Sequence, residues 1–427
     1  MGGALKSWIE SANIAGTHFP LQNLPYGVYR APAGGRHCCV AVGDELVDLT
    51  QLETLGFLEL GSPQPLFTNG SLNRFMAGGD GVWRQLRQRL MSLLAEQGDS
   101  TLRASEALRR SVIGQRADLT MLMPFEVAEY TDFYAGRRHA ENASAILRGD
   151  RSLSPNWLSM PIGYNGRASS VVVSGTDIRR PLGQMKVPEA DLPVFGPTRQ
   201  LDFELEIGSV IGVPSPMGQP LTVAEAESMI FGYVLLNDWS ARDIQAWEYR
   251  PLGPFQSKAF ATSISPWIVT REALEAFKVS TPERERPLLP YLQEPGPMLY
   301  DIRLEVLLAP AGAARATVIS RTNYREMYYS APQMLAHHAV AGCGMRTGDL
   351  LGSGTVSGPT EDSVGSLLEL SWGMTRPLRL DTGEARFFLE DGDCLTLAGY
   401  ADGGDYRIGF GDCTGRVLPA PEHGAWS

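Results

Sequence analysis

Leu201-Asp-Phe-Glu-Leu-Glu-Ile207 alternates apolar and acidic side chains without a break. Period two belongs to a β-strand, so Leu201, Phe203, Leu205 and Ile207 share one face and Asp202, Glu204 and Glu206 the other. Same-face neighbours on a strand lie roughly 7 Å apart, and three carboxylates at that spacing repel unless water or a cation neutralises them. Two readings follow. The segment is either an edge strand with a solvated face, or part of a site for a hard divalent metal, since Mg²⁺ and Ca²⁺ prefer carboxylate oxygen.

The rest of the chain favours strands and turns. Its 46 Gly and 29 Pro in 427 residues suit turns better than helix interiors, and the length accommodates two domains. Val40 to Leu49 reads as two short strands about a Gly43-Asp44 turn. Val82, Leu86, Leu90 and Leu94 recur every fourth residue, predicting a helix. Arg84, Arg87 and Arg89 fall elsewhere on that helix, as a solvated face or an anion site. Near Asp118 to Pro124 polar helix gives way to short β-like segments. The boundary is therefore expected at about residue 120, separating units 1–120 and 121–427. In the second unit, further strands are expected at Ser169–Ser174, Ile302–Leu308, Leu367–Trp372 and Cys394–Tyr400.

Composition removes several function classes. With 48 acidic residues against 37 Lys and Arg, the net charge of −11 opposes nucleic-acid binding. No apolar run approaches the roughly 20 residues of a membrane span. Met1 to Gly16 lacks the apolar core of a secretion signal, and Lys6 stands where myristoylation needs Ser or Thr, so a cytoplasmic protein is expected. The five cysteines (Cys38, Cys39, Cys343, Cys394, Cys413) include no CxxC pair and read as small buried hydrophobes. Gly-x-Ser-x-Gly and HExxH are both absent. Gly352 to Gly358 lacks the lysine of a phosphate loop, and reads as a tight turn offering Thr355 to a small anion. The adjacent His337 and His338 point in different directions on any regular element and read as structural.

Two more segments carry chemistry. Asn237 to Tyr249 reads as a helix capped by Asn237 or Asp238. Asp238, Arg242, Gln245 and Tyr249 then form one stripe, either a surface ion pair or the lining of a pocket beside Trp239, Ile244 and Trp247. Tyr130 to Arg148 groups Asp132, Tyr134, His139 and Arg148: a hard ligand, a phenol, an imidazole and a cation. The chain has only six histidines, and His139 stands out by these neighbours. The residues alone thus describe a β-rich protein with carboxylates for a hard divalent metal and one histidine base.

Together, Tyr130–Tyr134 with His139, Pro155–Leu158, Gly163–Ser170, Leu201–Glu206, Asn237–Asp243 and Pro251–Phe255 resemble the fumarylacetoacetase (fumarylacetoacetate hydrolase) family. The likeness extends from Phe19–Gly27 to Tyr406–Gly411. It implies a β-rich α+β fold, with an N-terminal SH3-like barrel followed by a C-terminal mixed β-sandwich roll, paired as a homodimer. It further implies metal-dependent hydrolysis of a C–C bond in a small diketo acid, in tyrosine and phenylalanine breakdown. On that resemblance Asp132, Glu204, Glu206 and Asp238 bind Ca²⁺ or Mg²⁺, with Lys258 and Thr262 at or around a second metal. His139, oriented by Glu369, is the general base, and Arg242, Gln245 and Lys258 form the oxyanion site. Tyr134, Arg148, Tyr164, Tyr249 and Thr355, with Arg242 and Gln245, hold the substrate. Asn165 departs from the histidine expected there, which touches specificity. Rival readings are another enzyme of the superfamily acting on a smaller diketo acid, such as an acylpyruvate hydrolase, and a metal-stabilised binding protein.

Overall fold

The computed structural model describes residues 5–186 and 191–422; Met1, Gly2 and His423 lie outside them. Strands β1 (Tyr26–Arg30), β2 (Arg36–Val42), β3 (Glu45–Asp48), β4 (Ile113–Gln115) and β5 (Met121–Leu122) form an antiparallel sheet in the order β4-β3-β2-β1-β5. The β2–β3 turn falls at Gly43-Asp44 as expected. Gly43 has φ of +57°, and a Cβ there would meet the backbone nitrogen of Ala12 at 2.5 Å. Helix α1 (Gly79–Leu94) buries Leu86, Leu90 and Leu94 on one stripe. Arg84 pairs with Asp80 and Arg89 with Asp99, but Arg87 is not on a solvated face. It is buried and donates to the carbonyls of Gln22 and Asn23, because a guanidinium out of water must spend its donors on protein acceptors.

The second unit is organised by an eight-stranded mixed sheet. Its strands are β6 (Tyr130–Phe133), β7 (Gly163–Asn165), β8 (Val171–Val173), β9 (Leu205–Ile211), β10 (Ile230–Asp238), β11 (Thr262–Ile264), β12 (Val269–Thr270) and β13 (Leu350–Gly352). They lie in the order β7-β6-β13-β9-β10-β11-β8, with β12 also on β10. Helix α2 (Arg137–Arg148) follows β6, and α3 (Arg242–Glu248) follows β10. A six-stranded sheet containing Arg303–Ala309 and Cys394–Asp402 shares a core with the first, joining Leu205, Ile207 and Leu235 to Leu304, Val306 and Leu397. The architecture is thus a mixture of helix and strand built on several sheets. Among the described residues no helix is long and apolar enough to cross a membrane.

Four sequence-based expectations need correction. Leu201–Ile207 is not an edge strand with a wet face: every residue in it is buried, because β9 lies between β13 and β10. The strand also breaks, so Leu201–Asp202 pairs with Ser240–Ala241 and Leu205 onward pairs with β10. Second, Asn237 and Asp238 do not cap a helix. The ladders to β9 and β11 hold β10 extended through Asp238, and α3 begins only at Arg242. Third, Leu367–Trp372 is not a strand but opens a short helix, α4 (Leu367–Leu370), capped by Ser366. Its Ser366-x-x-Glu369 spacing is a helix-start signal that outweighs the apolar run. Fourth, Cys343 is exposed, in the loop after helix Ala331–Ala339, whereas Cys38, Cys39 and Cys413 are buried and Cys394 is partly so. The Ser169–Ser174 strand narrows to Val171–Val173. His337 and His338 bond to Tyr291 and Thr131 respectively, a structural use.

Candidate active site

Strand register gathers the acids. Asp132 on β6 stands opposite Tyr164 on β7 and Gly352 on β13. Glu206 lies on β9, the other neighbour of β13, and Asp238 ends β10 opposite Thr262. One oxygen each of Asp132, Glu206 and Asp238 falls within 4.8 Å of the others, all three residues buried. At an effective dielectric of about 20, two charges so spaced repel by roughly 3 kcal/mol. Burial first, and neighbouring carboxylates next, push Asp132 and Glu206 well above the ordinary carboxylate range. Burial raises Asp238 as well, although Lys258 opposes it.

The residues fit a cation. Asp132 Oδ1, Glu206 Oε1 and Asp238 Oδ1 are buried and have no hydrogen-bond partner. The other oxygens are engaged: Tyr164 Oη lies 3.0 Å from both Asp132 Oδ2 and Asp238 Oδ2 and shares its one proton between them, and Gly354 N–H donates to Glu206 Oε2 at 2.9 Å. Carboxylates that converge and each still carry an unpaired oxygen are what Mg²⁺ or Ca²⁺ requires. Arg242 and Lys258 pair with Asp202, Glu204 and Asp238, whereas Asp132 and Glu206 form no ion pair among the described residues, so a bound cation would compensate these two.

Gly352 makes the space. A Cβ there would lie 2.6 Å from Asp132 Oδ1 and 2.8 Å from Glu206 Oε2. Gly352→Ala should therefore displace both carboxylates and weaken Mg²⁺ binding by about tenfold to a hundredfold, measured by titration calorimetry. Unchanged affinity would show that the ion sits elsewhere.

Glu204 stands beside the trio, with its two oxygens on Arg242 Nη1 (2.7 Å) and Lys258 Nζ (2.8 Å). Burial disfavours its charge, but Lys258 and Arg242 outweigh burial and hold it well below the usual range. Lys258 Nζ also reaches Asp238 at 2.6 Å, so the ammonium takes the charge-balancing place between these two acids. Burial opposes its charge, yet Asp238 and Glu204 raise its pKa overall. Thr262 is buried beside Asp238 across the ladder.

His139 lies in the first turn of α2. Its Nδ1 is 2.7 Å from Glu369 Oε2, and its Nε2 is 3.8 Å from Glu204 Oε1. Glu369 is buried and accepts from Asn142 (2.9 Å), Ser357 (3.0 Å) and Ser366 (2.8 Å). Against the cost of burial, His139 and these donors keep Glu369 below its ordinary value, and therefore ionised. An ionised acceptor at Nδ1 selects the tautomer with Nδ1–H and leaves Nε2 free to take a proton.

Around this pair, Tyr134 packs edge-on against His139 at 5.6 Å between ring centres. Gln245 Oε1 accepts from Arg242 at 3.2 Å, while Arg242 Nη2 and Thr355 Oγ1 are buried without a partner. Arg148 is in the last turn of α2, bonded to Ser144 and to the Ser152 carbonyl. Tyr249 is 41% exposed at the end of α3, with the Arg250 guanidinium 5.1 Å from its ring. Arg148 and Tyr249 are thus not drawn into the central cluster. Sequence reasoning missed Asn142, Ser357 and Ser366, and read Asp202 only as one of three acids on a strand face. Of these, Asn142 carried a signal, lying three residues after His139 on the same helix face, and so did Ser366 through its cap spacing.

Residues 22–124 match the family described as fumarylacetoacetase N-terminal, and residues 129–418 match fumarylacetoacetate (FAA) hydrolase C-terminal. The chain is 47% identical to fumarylacetoacetase from Bos taurus, over 94% of this chain and 96% of that one. It is 45% identical to fumarylacetoacetase from Arabidopsis thaliana, over 98% and 99% respectively. Among solved structures it is similar in fold to a fumarylacetoacetate hydrolase from the psychrophile Exiguobacterium antarcticum. That likeness has a TM-score of 0.52 at 18% identity, over 93% of this chain and 99% of that one.

Proposed function

The chain belongs to the fumarylacetoacetate hydrolase family, and from that premise we propose how its buried residues split the C–C bond of 4-fumarylacetoacetate. It is a hydrolase with fumarylacetoacetase activity, yielding fumarate and acetoacetate. The observation that carries the mechanism is a buried carboxylate trio linked through Lys258 and Glu204 to an imidazole held by Glu369.

C–C hydrolysis is difficult because the leaving group is a carbanion. Asp132, Glu206 and Asp238, with Glu204 beside them, hold a divalent cation, Mg²⁺ or Ca²⁺. When bound, the cation supplies Lewis acidity that makes the departing enolate tolerable. His139 takes a proton from water at Nε2, and Glu369 stabilises the imidazolium that results. Water attacks the carbonyl next to the fumaroyl unit. The C–C bond then breaks to release the enolate, and the proton held by His139 returns to the leaving carbon, giving fumarate and acetoacetate. Arg242 turns its free Nη2 to the oxyanion, with Gln245 and Lys258 completing the donor set. Thr355, Tyr134 and Tyr164 line the substrate, and Arg148 and Tyr249 grip its carboxylates from the rim.

The same reading includes a homodimer in the cytoplasm and a division into units 1–120 and 121–427. The first is an SH3-like barrel built on the sheet of β1 to β5, and the second a mixed β-roll. A panel of diketo acids assayed with and without chelator tests the function. Loss of fumarylacetoacetate absorbance in Mg²⁺, abolished by EDTA, is expected. Faster turnover of short acylpyruvates would reassign the substrate, and metal-dependent melting without any turnover would reduce the chain to a binding protein.

A further inference from the structure

Asp202 takes no part in the acid–base or cation chemistry above, yet all of its acceptor capacity is used. Its Oδ2 accepts from Arg242 Nε at 2.8 Å and from the backbone N–H of Leu368 at 3.0 Å. Its Oδ1 accepts from Leu367 N–H at 2.7 Å and Phe203 N–H at 2.8 Å. Four donors fill the lone pairs of one fully buried carboxylate, leaving it no alternative arrangement. We propose that Asp202 is a positioning residue that fixes Arg242 relative to the helix bearing Glu369, so that oxyanion donor and base are aligned through one group.

The geometry runs in both directions. Toward Arg242, the grip on Nε combines with Glu204 and Gln245 on Nη1 and leaves Nη2 as the buried nitrogen without a partner. Toward α4, the bonds to Leu367 and Leu368 set where the helix starts, and Glu369 follows one residue later to meet His139. Backbone bonds already join this strand to the start of α3 and to the residue before Ser366, and Asp202 adds a side chain that touches both Arg242 and α4. Misplacement by about 1 Å of a group in such a constellation is enough to cost roughly a hundredfold in rate.

This inference rests on the reading that Arg242 binds the oxyanion and Glu369 orients His139. The test therefore begins with wild-type turnover of fumarylacetoacetate in Mg²⁺; its absence overturns the function itself, whatever Asp202 does. With turnover established, Asp202→Asn keeps an oxygen for Leu367 and Phe203 but turns an amide donor toward both Arg242 Nε and the Leu368 N–H. We expect kcat to fall by about a hundredfold, with KM and Mg²⁺ affinity within about threefold of wild type, since binding groups are left in place. In the Arg242→Lys background, Asp202→Asn should cost clearly less than in the wild type, because the part of its effect that passes through the arginine is already lost. Should Asp202→Asn fail to fold, Asp202→Glu is read instead: it keeps the charge, moves it by one methylene, and should lower kcat by about tenfold. A folded variant that melts earlier but keeps wild-type kcat, or losses that add in the double variant, overturns the positioning role.

Discussion

His139→Ala should lower kcat for fumarylacetoacetate by roughly a thousandfold or more, the upper range for a general base, without unfolding the protein. The fold survives because Glu369 does not depend on the imidazole alone. Asn142, Ser357 and Ser366 still donate to it, so its charge remains hydrogen-bonded after the ring is removed. Stopped-flow turnover and a thermal melt on the same preparation give both quantities. Mg²⁺ affinity should be unchanged, since the three orphaned oxygens belong to other strands. Wild-type turnover in the variant would remove His139 from the chemistry.

Glu206→Gln should act with opposite signs on metal binding and on cation-free stability. Losing one of three converging charges should weaken Mg²⁺ by about a hundredfold or more, at least what outer partners of a metal site are worth. The same change relieves repulsion that Lys258 offsets only in part, so in EDTA the variant should melt at or above the wild type. The pH dependence of the wild type follows from the same physics. Burial raises Asp132, Glu206 and Asp238 above their unfolded values. Between the ordinary carboxylate pKa near 4 and those raised values, the folded chain holds more protons than the unfolded one, so stability falls as pH rises through that window. In EDTA the melting temperature should decline as pH rises above the ordinary carboxylate range; with Mg²⁺, which replaces the protons, the decline should vanish. A cation-free melting temperature that climbs with pH there would contradict the clustering of these acids.

What could be read from residues and what could not divides along physical lines. Local periodicity sufficed for α1, for the β2–β3 hairpin and for the apolar half of Leu201–Ile207, because each depends on which side chains recur on one face. It failed where long-range partners overrode local preference. Asn237 and Asp238 have the chemistry of helix caps, but ladders on both sides of β10 keep them extended. Leu367–Leu370 looks like a strand, but the Ser366 cap and the Asp202 carboxylate, 165 residues away, both bind its first amides and together start a helix. The wet face expected of Asp202, Glu204 and Glu206 is buried for the same reason. Each inward Leu, Ile or Phe contributes about 2 kcal/mol, and Arg242 and Lys258 arrive from other elements to compensate part of the charge.

The amino-acid order alone determined which groups the chain possesses: paired acids at strand spacing, a histidine among polar neighbours, and the motifs of its family. Only the tertiary structure decided that Asp132, Glu206 and Asp238 meet within 4.8 Å while Glu204 turns to Arg242 and Lys258. The reason is that cross-strand register, and the empty volume at Gly352, are properties of strands brought together from distant parts of the chain. No local pattern contains them.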